Sequence, residues 1–78
     1  MGQKIKLIWD FRGNDAHKTA EHHEIHLKEF AKRESLEETD SGVELLNEIH
    51  SIAFITVLEK DMIKTRDALI PHRGELAE

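Results

Sequence analysis

The sequence predicts a small α+β fold with the element order β-α-β-β-α. This is the ferredoxin-like split βαβ arrangement with its fourth strand absent or reduced to the tail. Three observations lead to the prediction: an alternating apolar stretch comes first, a long stretch without Gly or Pro follows, and two short apolar stretches precede a helical segment that ends at a proline. Such an order places both helices on one face of an antiparallel sheet.

The first strand is predicted over residues 4–11, because apolar and polar side chains alternate there with the period of a strand. One face carries Ile5, Leu7, Trp9 and Phe11, and the other carries Lys4, Lys6, Ile8 and Asp10. A turn follows, and Asn14 or Asp15 is a suitable N-cap for the next helix.

The first helix is predicted over residues 16–33, where apolar residues recur at helical spacing. The residues that share its core-facing stripe are Ala16, Ala20, His23, Leu27, Phe30 and Ala31. His23 lies in the middle of this stripe, whereas His22 and His26 lie on its flank. With His17, four of the six histidines of the chain belong to this helix.

The remaining elements are shorter. An acidic, polar segment, about 35–42, is predicted to be a mobile loop. Strands are predicted over 43–48 and 52–58, a second helix over 60–70, and a tail over 75–78. Pro71 ends the second helix, because proline cannot continue it.

Composition predicts a single domain, 1–78, with a thin margin of stability. A chain of 78 residues buries only about 60% of the surface that its unfolded form exposes. The chain has no cysteine and a formal net charge of −5, which argues against a disulfide framework, a nucleic-acid partner and an anionic membrane surface. No apolar run approaches the length of a transmembrane helix. We therefore expect a soluble cytoplasmic protein without a cofactor.

The third strand is apolar on both faces, which predicts a partner subunit. A strand of this kind is usually covered on both sides, yet both helices must lie on one face. A sheet with an uncovered apolar face is a poor monomer. We predict a homodimer, formed either face to face through the open sheet or edge to edge through the strand that lacks a neighbour.

The predicted topology collects basic residues at one end of the sheet. The residues brought there are Arg12 and His17 near the start of the first helix, His50 between the second and third strands, and His72 and Arg73 after the second helix. Arginine and histidine donate charge-assisted hydrogen bonds to anions. We therefore predict that a small anionic ligand binds at this pole.

The sequence is also compatible with two other kinds of site, a catalytic site and a metal site. An enzyme is one alternative: His23, facing the core, would act with Asp10 in acid–base catalysis inside a cavity lined by the dimer. A metal is another, because His22 and His26 have the i, i+4 spacing that chelates a divalent ion, with Glu29 one turn further on.

The third class of function is an interaction module without a small ligand. It predicts a filled core at His23 and an exposed apolar patch, for instance around Ile25. No serine nucleophile motif or Gly-rich phosphate loop is present. The sequence therefore leaves enzyme, ligand-binding protein and interaction module open.

Overall fold

The computed structural model describes residues 3–77. Its elements are β1 (Lys4–Arg12), α1 (Ala16–Arg33), β2 (Asp40–Asn47), β3 (His50–Leu58), α2 (Glu59–Leu69) and β4 (Arg73–Ala77). The strands form one antiparallel sheet in the order β2-β3-β1-β4. The predicted α+β class, with two helices and an antiparallel sheet, is confirmed. Within the described residues, neither helix is long and apolar enough to cross a membrane.

The first helix has the predicted bounds, but β2 begins earlier than predicted. The segment 35–42 was expected to be a loop, whereas its residues 40–42 pair with residues 54–56 of β3. Asp15 is the N-cap of α1, although its side chain makes no capping hydrogen bond. Instead, the Thr19 hydroxyl donates to the Asp15 carbonyl oxygen at 3.0 Å.

A fourth strand is present. β4 pairs with β1 from Arg73, opposite Ile8, to Ala77, opposite Lys4. It therefore includes residues 75–77 of the predicted tail, and residue 78 lies outside the described residues. β1 is consequently an inner strand, with β3 on one side and β4 on the other.

Both helices cover the same face of the sheet. Trp9 shows this, because its ring lies 4.9 Å from the ring of His23 on α1. Its indole N–H also donates to the Leu69 carbonyl oxygen at the end of α2, at 3.0 Å. The buried core on this face consists of Leu7, Trp9, Ala20, Leu27, Ala53, Ile55 and Val57.

The opposite face of the sheet, which we call the open face, has its central apolar residues already covered. Ile8 and Ile52 are 1% and 4% exposed. The Lys6 ammonium lies 4.4 Å from the centre of the Phe54 ring and 3.4 Å from a Glu44 carboxylate oxygen. The expectation of an uncovered apolar face therefore fails at Ile8 and Ile52, because long polar and aromatic side chains fold over the sheet.

The helix face is incompletely covered at β4. α2 contacts β1 and β3, and within Glu59–Leu69 only Thr65 is buried. A groove of about 390 Å³ remains between α2 and β4, with Leu7 and Met62 among its lining residues. Leu76 of β4 also lines this groove and is 65% exposed. We call this feature the α2–β4 groove.

Candidate functional site

Two turns meet at one end of the sheet and bring its polar residues together. Gly13 follows β1 with φ of 115°, a backbone conformation that glycine adopts most readily. Its N–H donates to the carbonyl oxygen of Ile49, in the turn between β2 and β3, at 2.8 Å. The Asn47 side chain fixes that second turn by accepting the Ile49 N–H at 2.9 Å. As a result Arg12 and His50 are direct cross-strand neighbours.

Asp10 is the centre of the polar cluster at this pole. One of its carboxylate oxygens lies 2.8 Å from His50 Nε2 and accepts Arg73 Nη2 at 3.2 Å. The other accepts Arg73 Nε at 3.1 Å, so the arginine is bound through two donors. The backbone N–H of Asp10 donates to His72 Nδ1 at 2.8 Å. We call Asp10, Arg12, His50, His72 and Arg73 the Asp10 corner.

The charges of the Asp10 corner favour the ionised carboxylate. The hydrogen bond from Arg73 lowers the pKa of Asp10, and the bond with His50 acts in the same direction, while burial opposes them. The same contact raises the pKa of Arg73. Among the described residues, Arg12 is exposed and has no carboxylate within ion-pair distance. With neutral histidines, the charges of Asp10, Arg12 and Arg73 sum to +1 (−1 + 1 + 1), in a chain of net charge −5.

Of the residues predicted to bind the anion, His17 takes a different position. It is exposed on α1, and its Nε2 lies 3.5 Å from a carboxylate oxygen of Glu21, one turn further along the helix. The structure therefore joins His50, His72 and Arg73 to Asp10, with Arg12 beside His50, while His17 pairs within its own helix.

His23 lies on the other side of the sheet from Asp10. Its ring is 4.9 Å from that of Trp9 and 5.5 Å from that of Phe11, both on the helix face. Successive side chains of a strand point to opposite faces, so Asp10 points to the open face. The predicted catalytic pair of His23 and Asp10 is consequently separated by the sheet.

His23 borders a surface depression of about 540 Å³ on α1. The other lining residues are Phe11, Asp15, Lys18, Thr19, His22 and His26. The Nε2 atom of His23 is buried and has no hydrogen-bond partner among residues 3–77. A buried polar atom without a partner destabilises the fold. Burial lowers the pKa of His23, with smaller contributions from the neighbouring His26, His72 and His22.

We expect His23 to make the fold sensitive to acid. Its folded pKa lies below the usual 6.5, so the unfolded chain binds more protons between these two values. The stability due to neutral His23 is fully present above the pKa of this histidine in the unfolded chain. It is lost as the pH falls through the pKa of His23 in the folded protein. The variant His23→Phe should remove this loss and, at neutral pH, raise the free energy of unfolding by about 1 kcal/mol.

Urea denaturation at several pH values, from about 8 down to about 5, measures the effect as the difference between wild type and His23→Phe. His17→Phe is the matched control, because it replaces an exposed histidine of the same helix. A pH dependence that is equal in wild type and His23→Phe would contradict the prediction.

The predicted metal ligands lie together on the exposed flank of α1. The rings of His22 and His26 stack at 4.9 Å, with 15° between their planes. His26 Nδ1 lies 3.5 Å from a carboxylate oxygen of Glu29. Within residues 3–77, no group of three or more His, Asp or Glu side chains is arranged to hold a metal ion. The site of His22, His26 and Glu29 stays a prediction.

Exposed apolar side chains occur on α1 and, unexpectedly, on the hairpin between β2 and β3. Ile25 is 56% exposed, as its isolated position on α1 predicts. A larger group lies on the hairpin between β2 and β3, where Leu45, Leu46 and Ile49 are 59%, 47% and 57% exposed. Ile25 was the example that the sequence offered, whereas Leu45 and Leu46 belong to a predicted strand and were not singled out.

Comparison of the chain with protein-family models, with curated proteins and with solved structures finds no match. The function is therefore inferred from the residues and their geometry.

Proposed function

We propose that the protein binds a small anion, such as a phosphate or carboxylate group, at the Asp10 corner, and that it does so as a homodimer. We further propose a ferredoxin-like fold, supported by the β-α-β-β-α-β element order, and a cytoplasmic location, supported by a chain without cysteine.

The observation that carries the proposal is the pairing of Asp10 with Arg73, which lies opposite Ile8, while Arg12 lies two residues beyond Asp10 on the same face of β1. A guanidinium has five N–H donors in a fixed plane, and Asp10 occupies the Nε donor and one on Nη2. The remaining donors of Arg73 are oriented by this pairing, and within residues 3–77 of one subunit Asp10 is the carboxylate that Arg73 contacts. The Arg73 side chain is 47% exposed, so an anion can reach it from solvent.

The charge balance favours an anion over a cation. The carboxylate oxygens of Asp10 already accept hydrogen bonds from Arg73 and His50. A cation would have to displace these donors and would also be repelled by Arg12, which lies on the same face as Asp10. An anion instead gains charge-assisted hydrogen bonds from two guanidinium groups.

The test is a titration with inorganic phosphate, followed by the backbone and arginine side-chain NMR signals. Wild type should show saturable shifts at Arg12, His50 and Arg73. Arg12→Ala should weaken binding by about tenfold, since it removes a charged hydrogen-bond donor and leaves the contacts of Asp10 in place. Arg33→Ala, which changes an exposed arginine at the end of α1, should bind as wild type does.

The proposal fails if phosphate and small carboxylates produce no saturable shift at the Asp10 corner. It also fails if Arg12→Ala and Arg33→Ala bind phosphate equally well. Folding of each variant is verified by its amide spectrum, so that a loss of affinity is separated from a loss of structure.

An enzyme that uses histidine for acid–base chemistry is the second candidate. The distance of 2.8 Å between His50 Nε2 and Asp10 supports His50 in this role, because a carboxylate can orient an imidazole so that its other nitrogen exchanges protons. Imidazole ¹⁵N NMR tests the idea. A neutral ring with its proton on Nε2 supports a base at Nδ1, whereas a proton on Nδ1 of the neutral ring excludes it.

A further inference from the structure

We propose that two copies of the chain associate through the exposed edge of β4, to form one continuous sheet across a two-fold axis at Gly74. Leu76 of each subunit then enters the α2–β4 groove of the other. This inference rests on the homodimer of the proposed function and names its interface.

The open face is the less suitable surface for the dimer. Its central apolar residues, Ile8 and Ile52, are already buried within one subunit. Charged side chains lie around them, including Lys6 paired with Glu44 and Arg73 paired with Asp10. Stacking two such faces would desolvate these charges, and little apolar surface would be buried in return.

Of the two sheet edges, β2 is the protected one. Its pairing with β3 is irregular between Leu45 and Asn47, and bulges of this kind discourage edge-to-edge association. Its open-face positions opposite Thr56 and Ile52 are Asp40 and Glu44, so the exposed strand is acidic. β4 has a regular pairing with β1 from residue 73 to residue 77 and carries one charge of each sign there, Arg73 and Glu75.

The direction of the backbone groups sets the register. The N–H of Asp10 points toward the β4 side of β1, where His72 accepts it. N–H directions alternate along a strand, so Lys6 and Ile8 also point to β4, and their partners Glu75 and Arg73 point back. Gly74 and Leu76 are then left with N–H groups directed outward, toward a new strand.

A two-fold axis at Gly74 uses these outward groups and matches the charges. Gly74 pairs with Gly74 of the partner subunit through both backbone hydrogen bonds. Arg73 then lies opposite Glu75 of the partner subunit, twice by symmetry, at the closely spaced non-hydrogen-bonded position. An axis at Glu75 would instead place two carboxylates opposite each other, which is destabilising.

The same register covers exposed apolar surface. Leu76 is 65% exposed and lines the α2–β4 groove. In the dimer it lies opposite His72 of the partner subunit, next to that subunit's groove walls at Pro71 and Met62. Gly74 contributes no side chain at the axis, where an added Cβ would already lie 3.3 Å from Leu7 Cδ2. The two leucines lie on opposite sides of the axis, each two residues from Gly74.

Sedimentation equilibrium of the full chain over a wide concentration range tests the interface. Wild type should dimerise. Gly74→Pro should weaken dimerisation by at least about tenfold, because proline removes the outward N–H at the axis and blocks edge pairing. Gly74→Ala is the matched control, since it adds a Cβ and keeps the N–H, and it should remain dimeric.

A second variant keeps the test decisive if proline disturbs the subunit fold. Glu75→Arg changes an exposed side chain and sets Arg73 against an arginine of the partner subunit, so it should also weaken the dimer by about tenfold, less so at high salt. A dimer that persists at wild-type affinity in Glu75→Arg overturns the β4 interface alone. A monomeric wild type overturns both this interface and the homodimer, whereas phosphate binding is decided separately by the Arg12 titration.

Discussion

Replacing Asp10 by alanine is expected to lower the free energy of unfolding by about 2 kcal/mol, because the partly buried imidazole of His50 loses its acceptor. The His50 side chain is only 13% exposed, so water replaces the lost carboxylate poorly. Arg73 loses both of its contacts at the same time. The expected result is a weaker fold and disorder at the end of β1, where β3 and β4 are joined through this carboxylate.

Urea denaturation of wild type and Asp10→Ala measures the effect. Asp67→Ala is the control, since it removes an exposed carboxylate that pairs only with the adjacent Arg66 at 3.3 Å in the described chain. Pairs of this kind contribute at most about 1 kcal/mol, so this control should stay close to wild type. Equal destabilisation by the two substitutions would contradict a structural role for the Asp10 corner.

Acid should reduce the difference between wild type and Asp10→Ala. The folded pKa of Asp10 lies below its usual 3.8, so the stability due to its charge is complete above that value. It is lost as the pH falls through the folded pKa, because the unfolded chain takes up the proton first. A difference that instead grows below pH 3.8 would contradict the assignment.

Replacing Trp9 by alanine should have the largest effect on stability, about 4 kcal/mol. Trp9 is 3% exposed and contacts both helices. A domain of this length has a total stability of about 4–12 kcal/mol. If the wild-type value is near the lower end of this range, about half of the Trp9→Ala molecules should be unfolded. Thermal unfolding followed by circular dichroism measures this loss.

Trp9→Phe separates the volume of Trp9 from its hydrogen bond. Phenylalanine retains much of the ring but cannot donate to the Leu69 carbonyl oxygen. Because α2 buries little of its own surface, its end should open more readily in this variant, and hydrogen exchange of its amides should accelerate by about fivefold, the effect of roughly 1 kcal/mol. Exchange in α1 should change less. Acceleration that is equal in both helices would show global rather than local destabilisation.

The pattern of the sequence was sufficient for the bounds of α1, whereas α2 begins and ends one residue earlier than the predicted 60–70. Helical spacing of apolar residues predicted Ala16–Arg33, which is the observed α1. The alternation of side chains along β1 also implies that Asp10 and His23 lie on opposite sides of the sheet. Trp9 and Asp10 are successive residues of a strand, and the helices cover the face to which Trp9 points. The predicted pairing of His23 with Asp10 in catalysis did not take this alternation into account.

Other features depend on partners that are distant in the sequence. β4 has only five residues, and its identity as a strand follows from pairing with β1 rather than from its own propensity. The start of β2 has the same origin, since Gly42 lies under the Phe54 ring, where an added Cβ would come within 2.8 Å of Cζ. His50 contacts Asp10 because the two residues are diagonal neighbours on the same face of β1 and β3, where Arg12 lies opposite His50 and Asp10 lies opposite Ile52. Their positions in the sequence did not predict this contact.

The central position of β1 has a consequence for the kinetics of folding. Its neighbours β3 and β4 are formed by residues 50–58 and 73–77, so every one of its pairings closes a long loop. Loop closure must precede the gain from such contacts, and chains dominated by distant pairings fold slowly for their size. We expect α1 and the β2–β3 hairpin to form first, with β1 joining them late. The Asp10 corner, which needs all three of β1, β3 and β4, would then be the last part of the protein to assemble.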